Sequence, residues 1–435
     1  MASSAPQPAP HPFRIADFRF YWVARLASTI GSMAMVIVIG WQVYDIARQT
    51  MDVKSAALQL GLIGVVQFVP LFALTLLTGW VADRLDRRVI ARASIALEVA
   101  CASALAWLAY TGTTTLLALF VVAALLGVAR AFAAPALSAL APNLVPREVL
   151  PRAIALSSIA WQSGSIAGPA LGGYLYAWEP HMPYAVSAGL FLLSLLCMFL
   201  IGPKPRSAIE GSKNPWRQMV DGLHYVRGNR LVLGAISLDL FAVLLGGATA
   251  MLPVFARDVL HAGPEGLGHL RAAPAVGATL MALWFSFSPL KRNVGVKMLV
   301  AVAVFGAATI VFGLSRWMPL SLFCLFLLGA ADMLSVYVRQ SLIQLYTPDA
   351  MRGRVGAVST LFISASNELG EAESGFLAAL IGPVAAVIGG GVGAILVTLL
   401  WARWFPELRR ARSFDPPPAG PSADDERPVQ HVGPG

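Results

Sequence analysis

A small set of polar and ionisable residues interrupts the long apolar stretches of this 435-residue sequence. Their side chains can form ion pairs, exchange protons or hydrogen-bond a polar ligand: Arg130, Asp239, Asp332, Asn367, Glu368 and Glu371. If the apolar stretches cross a membrane, a charge near its centre costs on the order of 3 kcal/mol, which makes such residues functional candidates by default. Positions three or four apart share a helical face, so residues 367–371 predict a polar stripe.

The composition predicts that these stretches do cross a membrane. Hydrophobic residues make up 57% of the chain and charged residues only 13%, whereas a soluble domain has about 25% charged residues. Residues 376–402 contain no charge, and about 20 helical residues span the hydrocarbon core. Residues 116–129 and 299–314 are continuously apolar, without the alternation of a membrane β-barrel. The sequence therefore predicts an all-α integral membrane protein.

Charged residues and Gly/Pro clusters divide the chain into twelve predicted spans. They lie near residues 20–45, 56–80, 91–110, 115–140, 153–177, 183–202, 231–256, 266–288, 296–314, 319–346, 354–378 and 383–405. This gives an N-terminal tail (1–19), a six-helix bundle (20–202), a linker (203–230), a second six-helix bundle (231–405) and a C-terminal tail (406–435). Residues 215–227 of the linker suit a short interfacial helix, and the polar, Pro-rich tail is predicted to be disordered.

Nearly all Lys and Arg residues of the connections fall on one side of this arrangement. The positive-inside rule then predicts that both termini are cytoplasmic and that the protein lies in the plasma (inner) membrane. The formal charge of +9 reflects this topology and contact with the lipid bilayer, so no nucleic-acid partner is predicted. Cys101, Cys197 and Cys324 lie within apolar spans without C-x-x-C spacing, which predicts neither a disulfide nor a metal site. No cofactor is expected.

An internal repeat appears when the chain is shifted on itself by 202 residues. Residues 144–158 then align with residues 346–360. The shift also superimposes identical helix-distorting or close-packing residues, including Gly127 with Gly329, Pro146 with Pro348, Gly168 with Gly370 and Gly173 with Gly375. Two parallel six-helix repeats around a central cavity follow from this register.

Residues 79–88 read GWVADRLDRR, in which Gly79, Asp83, Arg84, Arg87 and Arg88 match the pattern G-x-x-x-D-R-x-G-R-[RK] and Asp86 stands in place of a glycine. This pattern resembles the signature of the major facilitator superfamily, and the resemblance covers roughly residues 15 to 410. Span 5 resembles the G-x-x-x-G-P-x-x-G-G signature of drug:proton antiporters at Gly164, Gly168, Pro169, Gly172 and Gly173. Residues 352–375 are similar to span 11 of enterobactin-exporter-like members. The second half lacks the Asp-Arg signature at residues 281–290.

The resemblance implies a cytoplasmic gate in which Asp83 faces the positive N-terminal end of span 11. The arginines of the same motif are either part of that gate or determinants of topology. The glycines of span 5 share one helical face, which is either a surface linked to antiport or generic small-residue packing.

The candidate residues inside the spans allow several roles. Arg130 and Asp332 occupy equivalent positions in the repeat and are expected either to meet across the cavity, as a proton-sensitive pair or substrate clamp, or to be neutralised within their own halves. Glu368, Glu371 or Asp239 is expected to couple protonation to transport; alternatively, Glu368 is a structural hydrogen-bonding residue. Gln42 and Asp45 form either the outer mouth of the cavity or an interfacial belt.

The expected function is proton-coupled efflux of a small amphipathic compound, drug-like or a siderophore, by alternating access in a monomer. Import or facilitated transport of a small metabolite by the same fold is the alternative. A membrane-embedded enzyme is disfavoured because the sequence offers no nucleophile, metal or phosphate-binding constellation.

Overall fold

The computed structural model describes the backbone of residues 11–84, 86–202, 215–288, 290 and 292–414. The side chains of these residues are described except at positions 75–80, 82–84, 134–135, 138–139, 141–143, 147, 215–218 and 349–350. All regular secondary structure in these ranges is helical.

The first half of the chain forms six long α-helices: α1 (Ala16–Thr50), α2 (Val53–Arg84), α3 (Arg87–Tyr110), α4 (Leu116–Leu144), α5 (Leu150–Trp178) and α6 (Met182–Leu200). The linker contains α7 (Pro215–Gly228). The second half continues with α8 (Arg230–Leu245), α9 (Leu252–Val254) and a π-helical turn (Phe255–Val259), then α10 (Gly263–Phe287), α11 (Val294–Leu314), α12 (Met318–Tyr346), α13 (Asp349–Ile381), α14 (Pro383–Trp404) and α15 (Pro406–Arg410).

Ten helical segments in the described part of the chain are long and apolar enough to cross a membrane. They correspond to ten of the twelve predicted spans. The other two predicted spans coincide with α5 and α13, which are 29 and 33 residues long. Helix α5 carries the glycines and α13 the carboxylates singled out above, which lowers their hydropathy. The prediction of an all-helical membrane protein is confirmed.

The repeat predicted from the 202-residue shift is visible in the packing of the glycines. Gly168 of α5 lies against α1, and its counterpart Gly370 of α13 lies against α8. Gly173 of α5 lies against α10, and its counterpart Gly375 lies against α2. Equivalent glycines therefore contact equivalent helices, as two parallel six-helix repeats require.

The two halves meet along the helix pairs α2/α13 and α5/α10. A Cβ atom added to Gly61 would lie 2.7 Å from Gly375 Cα, and one added to Gly268 would lie 2.9 Å from the Pro169 carbonyl oxygen. At each crossing the backbones approach so closely that only glycine fits, which is the small-residue packing typical of membrane helices. We call these two contacts the glycine crossings.

The boundary of the predicted disordered tail was wrong for residues 406–414. Helix α15 packs on the end of the second bundle, where the Leu408 side chain is fully buried. Arg230 Nε also donates to Glu407 Oε1 at 2.8 Å. The Gly295 backbone N–H donates to the Ala411 carbonyl oxygen at 3.1 Å, so apolar burial, an ion pair and a backbone hydrogen bond together dock this segment. Residues 415–435 lie outside the described residues. The helix predicted in the linker is present as α7.

The close packing of Gly168 against α1 predicts a measurable effect on stability. In Gly168→Ala, the new Cβ would lie 2.6 Å from Met33 Cβ and 2.8 Å from the Ile30 carbonyl oxygen. Overpacking of this kind costs about 1–3 kcal/mol, so the melting temperature of the detergent-solubilised protein should fall. Gly189→Ala in α6 is the matched control, because no atom lies within 4 Å of its added Cβ. Equal melting of both variants would contradict the described α1/α5 packing.

Candidate transport site

Arg130 of α4 connects the two halves near the middle of the bundle. Its Nη2 lies 3.3 Å from Glu368 Oε1 on α13, and its Nη1 donates to Gln67 Oε1 on α2 at 3.0 Å. The Glu368 side chain is 10% exposed and that of Arg130 is 42% exposed. Arg130 lies 14 residues into α4, about 20 Å along its axis at 1.5 Å per residue. The pair is therefore deep in the protein, with the guanidinium partly open.

A second arginine completes a group of alternating charges. Arg271 Nη2 of α10 lies 3.7 Å from Glu371 Oε1 on α13, and Arg271 Nη1 donates to the Thr249 carbonyl oxygen at 3.2 Å. Glu368 interacts electrostatically with Arg130, Arg271 and Glu371. We call these four side chains the central charge quartet. Its formal charge is zero, and opposite charges alternate within it.

The polar stripe predicted on α13 is only partly realised. Glu368 and Glu371 both face arginines on other helices. Asn367 is exposed instead, because it precedes Glu368 by one position and one residue turns a helix by about 100°. Asn367 therefore lies outside the central charge quartet.

Arg130 and Asp332 do not pair in this structure, contrary to the first of the two alternatives drawn from the repeat. Arg130 contacts Glu368, whereas Asp332 lines a small cavity inside the second bundle together with Asp239. Asp239 itself pairs with Arg339 of α12. Pseudo-symmetry gives equivalent residues equivalent depths, but the rotation of each helix decides which partner its side chain faces.

A group of charged residues holds the halves together at the end of the bundles remote from the N-terminus. Asp258, in the π-helical turn, accepts a hydrogen bond from the Tyr44 hydroxyl and lies 3.2 Å from Arg48 Nε. Arg257 Nη1 lies 2.7 Å from Asp45 Oδ1. We call these five residues the far-end clamp. Of the belt candidates, Asp45 thus contacts the other half, while Gln42 accepts a hydrogen bond from Tyr184 within its own half.

The Asp-Arg motif after α2 is described only in its second part. The side chains of Gly79, Asp83 and Arg84 lie outside the described residues. Asp86 caps α3 by accepting from the Arg88 backbone N–H at 2.9 Å, and the Arg88 side chain pairs with it at 2.6 Å. Arg88 Nη1 also donates to the Ile201 carbonyl oxygen at the end of α6. The acidic residue in the position of the usual glycine thus anchors Arg88 inside the first bundle. Arg87, the other described arginine of the motif, is the first residue of α3.

The glycine face of α5 divides between two neighbours. Gly164, Gly168 and Gly172 lie against α1 of the same half, at Thr29, Met33 and Ala34 respectively. Pro169 and Gly173 lie at the α5/α10 crossing between the halves. This arrangement is close helix packing on both sides of α5.

Arg271, Arg339 and three residues of the far-end clamp, Arg48, Arg257 and Asp258, were not among the site residues predicted from the sequence. A signal was present, because an arginine inside an apolar helix requires an anionic partner. Arg271 and Arg339 both lie within predicted spans, and each has a carboxylate partner on a neighbouring helix. The need of each intramembrane arginine for a carboxylate partner is therefore the sequence signal that marks both residues.

Comparisons with known proteins agree with this architecture. The family model described as "Transmembrane secretion effector" matches residues 8–421. The chain is 28% identical to the enterobactin exporter EntS of Citrobacter koseri, covering 93% of this chain and 95% of that protein. It is 27% identical to EntS of Escherichia coli, covering 92% and 94%.

Solved transporter structures share the fold. A bacterial homologue of the human lysosomal transporter Spinster, in an inward-facing and occupied conformation, superposes with a TM-score of 0.72 at 14% identity, covering 94% of this chain and all of the other. A D-xylose–proton symporter superposes with a TM-score of 0.68 at 15% identity, covering 90% and 98%. The predicted resemblance is confirmed: the chain belongs to the transmembrane secretion effector family and is a multi-pass membrane transporter of the major facilitator fold.

Proposed function

We propose that the protein exports a small amphipathic compound, a siderophore or a drug-like molecule, by alternating access coupled to a proton gradient. The observation that carries the proposal is the contact of Arg130 with Glu368, which joins the two halves deep in the membrane. A partly exposed guanidinium held by a carboxylate of the other half can bind a polar or anionic group of a substrate. A substrate bound to Arg130 would compete with Glu368 for the guanidinium and so weaken this contact between the two halves.

Export is favoured over import by the relatives, which are named enterobactin exporters. The distribution of Lys and Arg supports cytoplasmic termini, and therefore a periplasmic position for the far-end clamp in an inner membrane. With the clamp engaged, the halves are held together on the periplasmic side, as a cytoplasm-facing state requires. One chain contains both repeats, so we propose that it functions as a monomer.

Transport into inverted membrane vesicles tests this proposal. In such vesicles export appears as uptake, so the protein should accumulate at least one compound from a panel of dyes, drugs and siderophores when a proton gradient is imposed. Vesicles without the protein and vesicles with a collapsed gradient are the controls. Uptake that ignores the gradient would reject proton antiport, and a lack of uptake for the whole panel would reject export of these classes.

A further inference from the structure

A small cavity inside the second bundle is separate from the central charge quartet. It lies among α8, α11 and α12, and its polar lining residues are Asp239, Asp332 and Ser335. The remaining lining residues are apolar: Ala242, Val243, Val302, Phe305 and Ala331. The volume of this cavity is about 10 Å³, which is roughly the volume needed to hold one water molecule. The cavity suits one small particle rather than an organic substrate.

The charges at this cavity do not balance. Asp239 forms an ion pair with Arg339, and their side chains are 5% and 2% exposed. Within the described residues, Asp332 has neither an ion-pair partner nor a hydrogen bond. The three side chains together therefore carry one uncompensated negative charge when both carboxylates are ionised. Asp332 is half-buried, and an ionised carboxylate with little access to water and no partner is disfavoured, which points to a positive ligand.

A hydroxyl group without a partner lies at the same cavity. Ser335 is 3% exposed, and its Oγ makes no hydrogen bond to the described residues. It follows Asp332 by three positions, which places both on one face of α12. A serine hydroxyl can donate to a carboxylate or offer its lone pairs to a cation. A buried hydroxyl normally has a partner, so its isolation points independently to a small polar ligand.

The other charged side chains on the helices around this cavity either form ion pairs elsewhere or lie near a helix end, far from the cavity. Arg271, Glu368 and Glu371 interact within the central charge quartet. The only charged residue of α11 is Lys297, which is exposed. The only one of α14 is Arg403, also exposed and next to the last residue of its helix. The charge of the cavity is therefore set by Asp239, Asp332 and Arg339.

We propose that Asp332 and Ser335, beside the Asp239–Arg339 pair, bind one monovalent cation, a proton on the Asp332 carboxylate or Na⁺ between the oxygen atoms. Binding neutralises the extra charge and gives the Ser335 hydroxyl a partner. The inference deepens the proposed transport function by placing the driving ion in the second bundle, apart from the substrate contact at Arg130. Only the link to transport rests on that function; the binding of the ion does not.

The binding step is tested by thermal melting of the purified protein. The melting temperature is measured across pH at fixed Na⁺, and across NaCl at fixed pH with choline chloride maintaining ionic strength. An ion that binds only the folded state stabilises it by RT ln(1 + [L]/Kd), where [L] is the free ion concentration and Kd its dissociation constant, so the melting temperature rises with ion concentration. The unaltered protein should respond to pH or to Na⁺, and Asp332→Asn should lose that response. If the ion is Na⁺, Ser335→Ala should need at least about tenfold more of it, the effect of one hydrogen-bonding group at a charge. If the ion is a proton, Ser335→Ala should shift the pH response by about one pH unit.

Glu373→Gln, which removes a carboxylate of α13 that does not line the cavity, is the matched control and should respond like the unaltered protein. A response to pH alone that is lost in Asp332→Asn identifies a proton, and a response to NaCl alone identifies Na⁺. Identical pH and NaCl responses of Asp332→Asn, Ser335→Ala and the unaltered protein would overturn the site.

Transport distinguishes failure of this site from failure of the proposed function. With a compound that the unaltered protein accumulates, Asp332→Asn should lose gradient-driven accumulation. Unchanged accumulation by Asp332→Asn would reject the role of this site in driving transport while leaving export intact. If the unaltered protein accumulates nothing, the proposed function fails, and the melting experiments still decide whether the cation binds.

Discussion

Vesicles carrying Arg130→Gln are expected to accumulate substrate at least about tenfold more slowly than vesicles carrying the unaltered protein. The substitution leaves Glu368, whose side chain is 10% exposed, without its closest cation. Removing one member of a buried, hydrogen-bonded charge pair costs about 2–5 kcal/mol. The 42% exposure of Arg130 places the cost near the lower limit, which still corresponds to about 30-fold in an equilibrium constant. Initial uptake rates, normalised to the amount of protein in the membrane, measure the effect.

Two further variants separate loss of this contact from a general loss of charge. Arg403→Gln removes an exposed arginine at the end of α14 and should leave transport unchanged. The reversed pair, Arg130→Glu with Glu368→Arg, restores opposite charges between α4 and α13 and should recover part of the rate. Arg130→Gln vesicles that transport at the unaltered rate would show that the contact has no role in the cycle.

Covalent linkage across the far-end clamp is expected to stop transport almost completely. Cysteines at positions 45 and 257 replace two residues from opposite halves whose side chains meet at 2.7 Å. A short bifunctional thiol reagent that bridges them would keep this end closed, so a state open at this end could not form. Uptake before and after treatment, with mass spectrometry to count linked molecules, measures the result.

The native cysteines do not complicate this experiment, because Cys101, Cys197 and Cys324 are all buried. Each single cysteine variant, treated with the same reagent, controls for modification without linkage and should keep transporting. A reagent with a cleavable bridge adds a reversal step, in which cutting the bridge should return the activity. Continued transport by fully linked protein would mean that the clamp does not need to open.

The architecture could be predicted from the sequence because it depends on coarse properties. The apolar stretches are long, and the bilayer permits few alternatives for such segments. The repeat could be predicted because glycines at helix crossings tolerate no side chain, so Gly168 with Gly370 and Gly173 with Gly375 persist in both halves. Two of the spans, α5 and α13, are less apolar than the rest, because α5 carries close-packed glycines and α13 carries carboxylates where other spans have large apolar side chains.

The partners within the site could not be predicted in the same way. Arg130 and Asp332 were matched by depth, but a few tens of degrees of helix rotation decide whether a side chain faces the other half or its own bundle. Arg271 and Arg339 belong to no motif, so only their positions inside apolar spans distinguish them in the sequence. The far-end clamp depends on the π-helical turn at Phe255–Val259, a local departure from regular helix that a search for apolar periodicity does not detect.

The glycine crossings also bear on how readily the two halves can move. Interlocked side chains would have to disengage before α2 could turn against α13, or α5 against α10. Where backbone meets backbone, at Gly61 with Gly375 and at Gly268 with Pro169, no side chain has to be lifted over another. The helices can therefore slide against each other at these contacts with little steric resistance. The free-energy barrier to rocking of the two halves should come instead from the charged contacts at the centre and the far end.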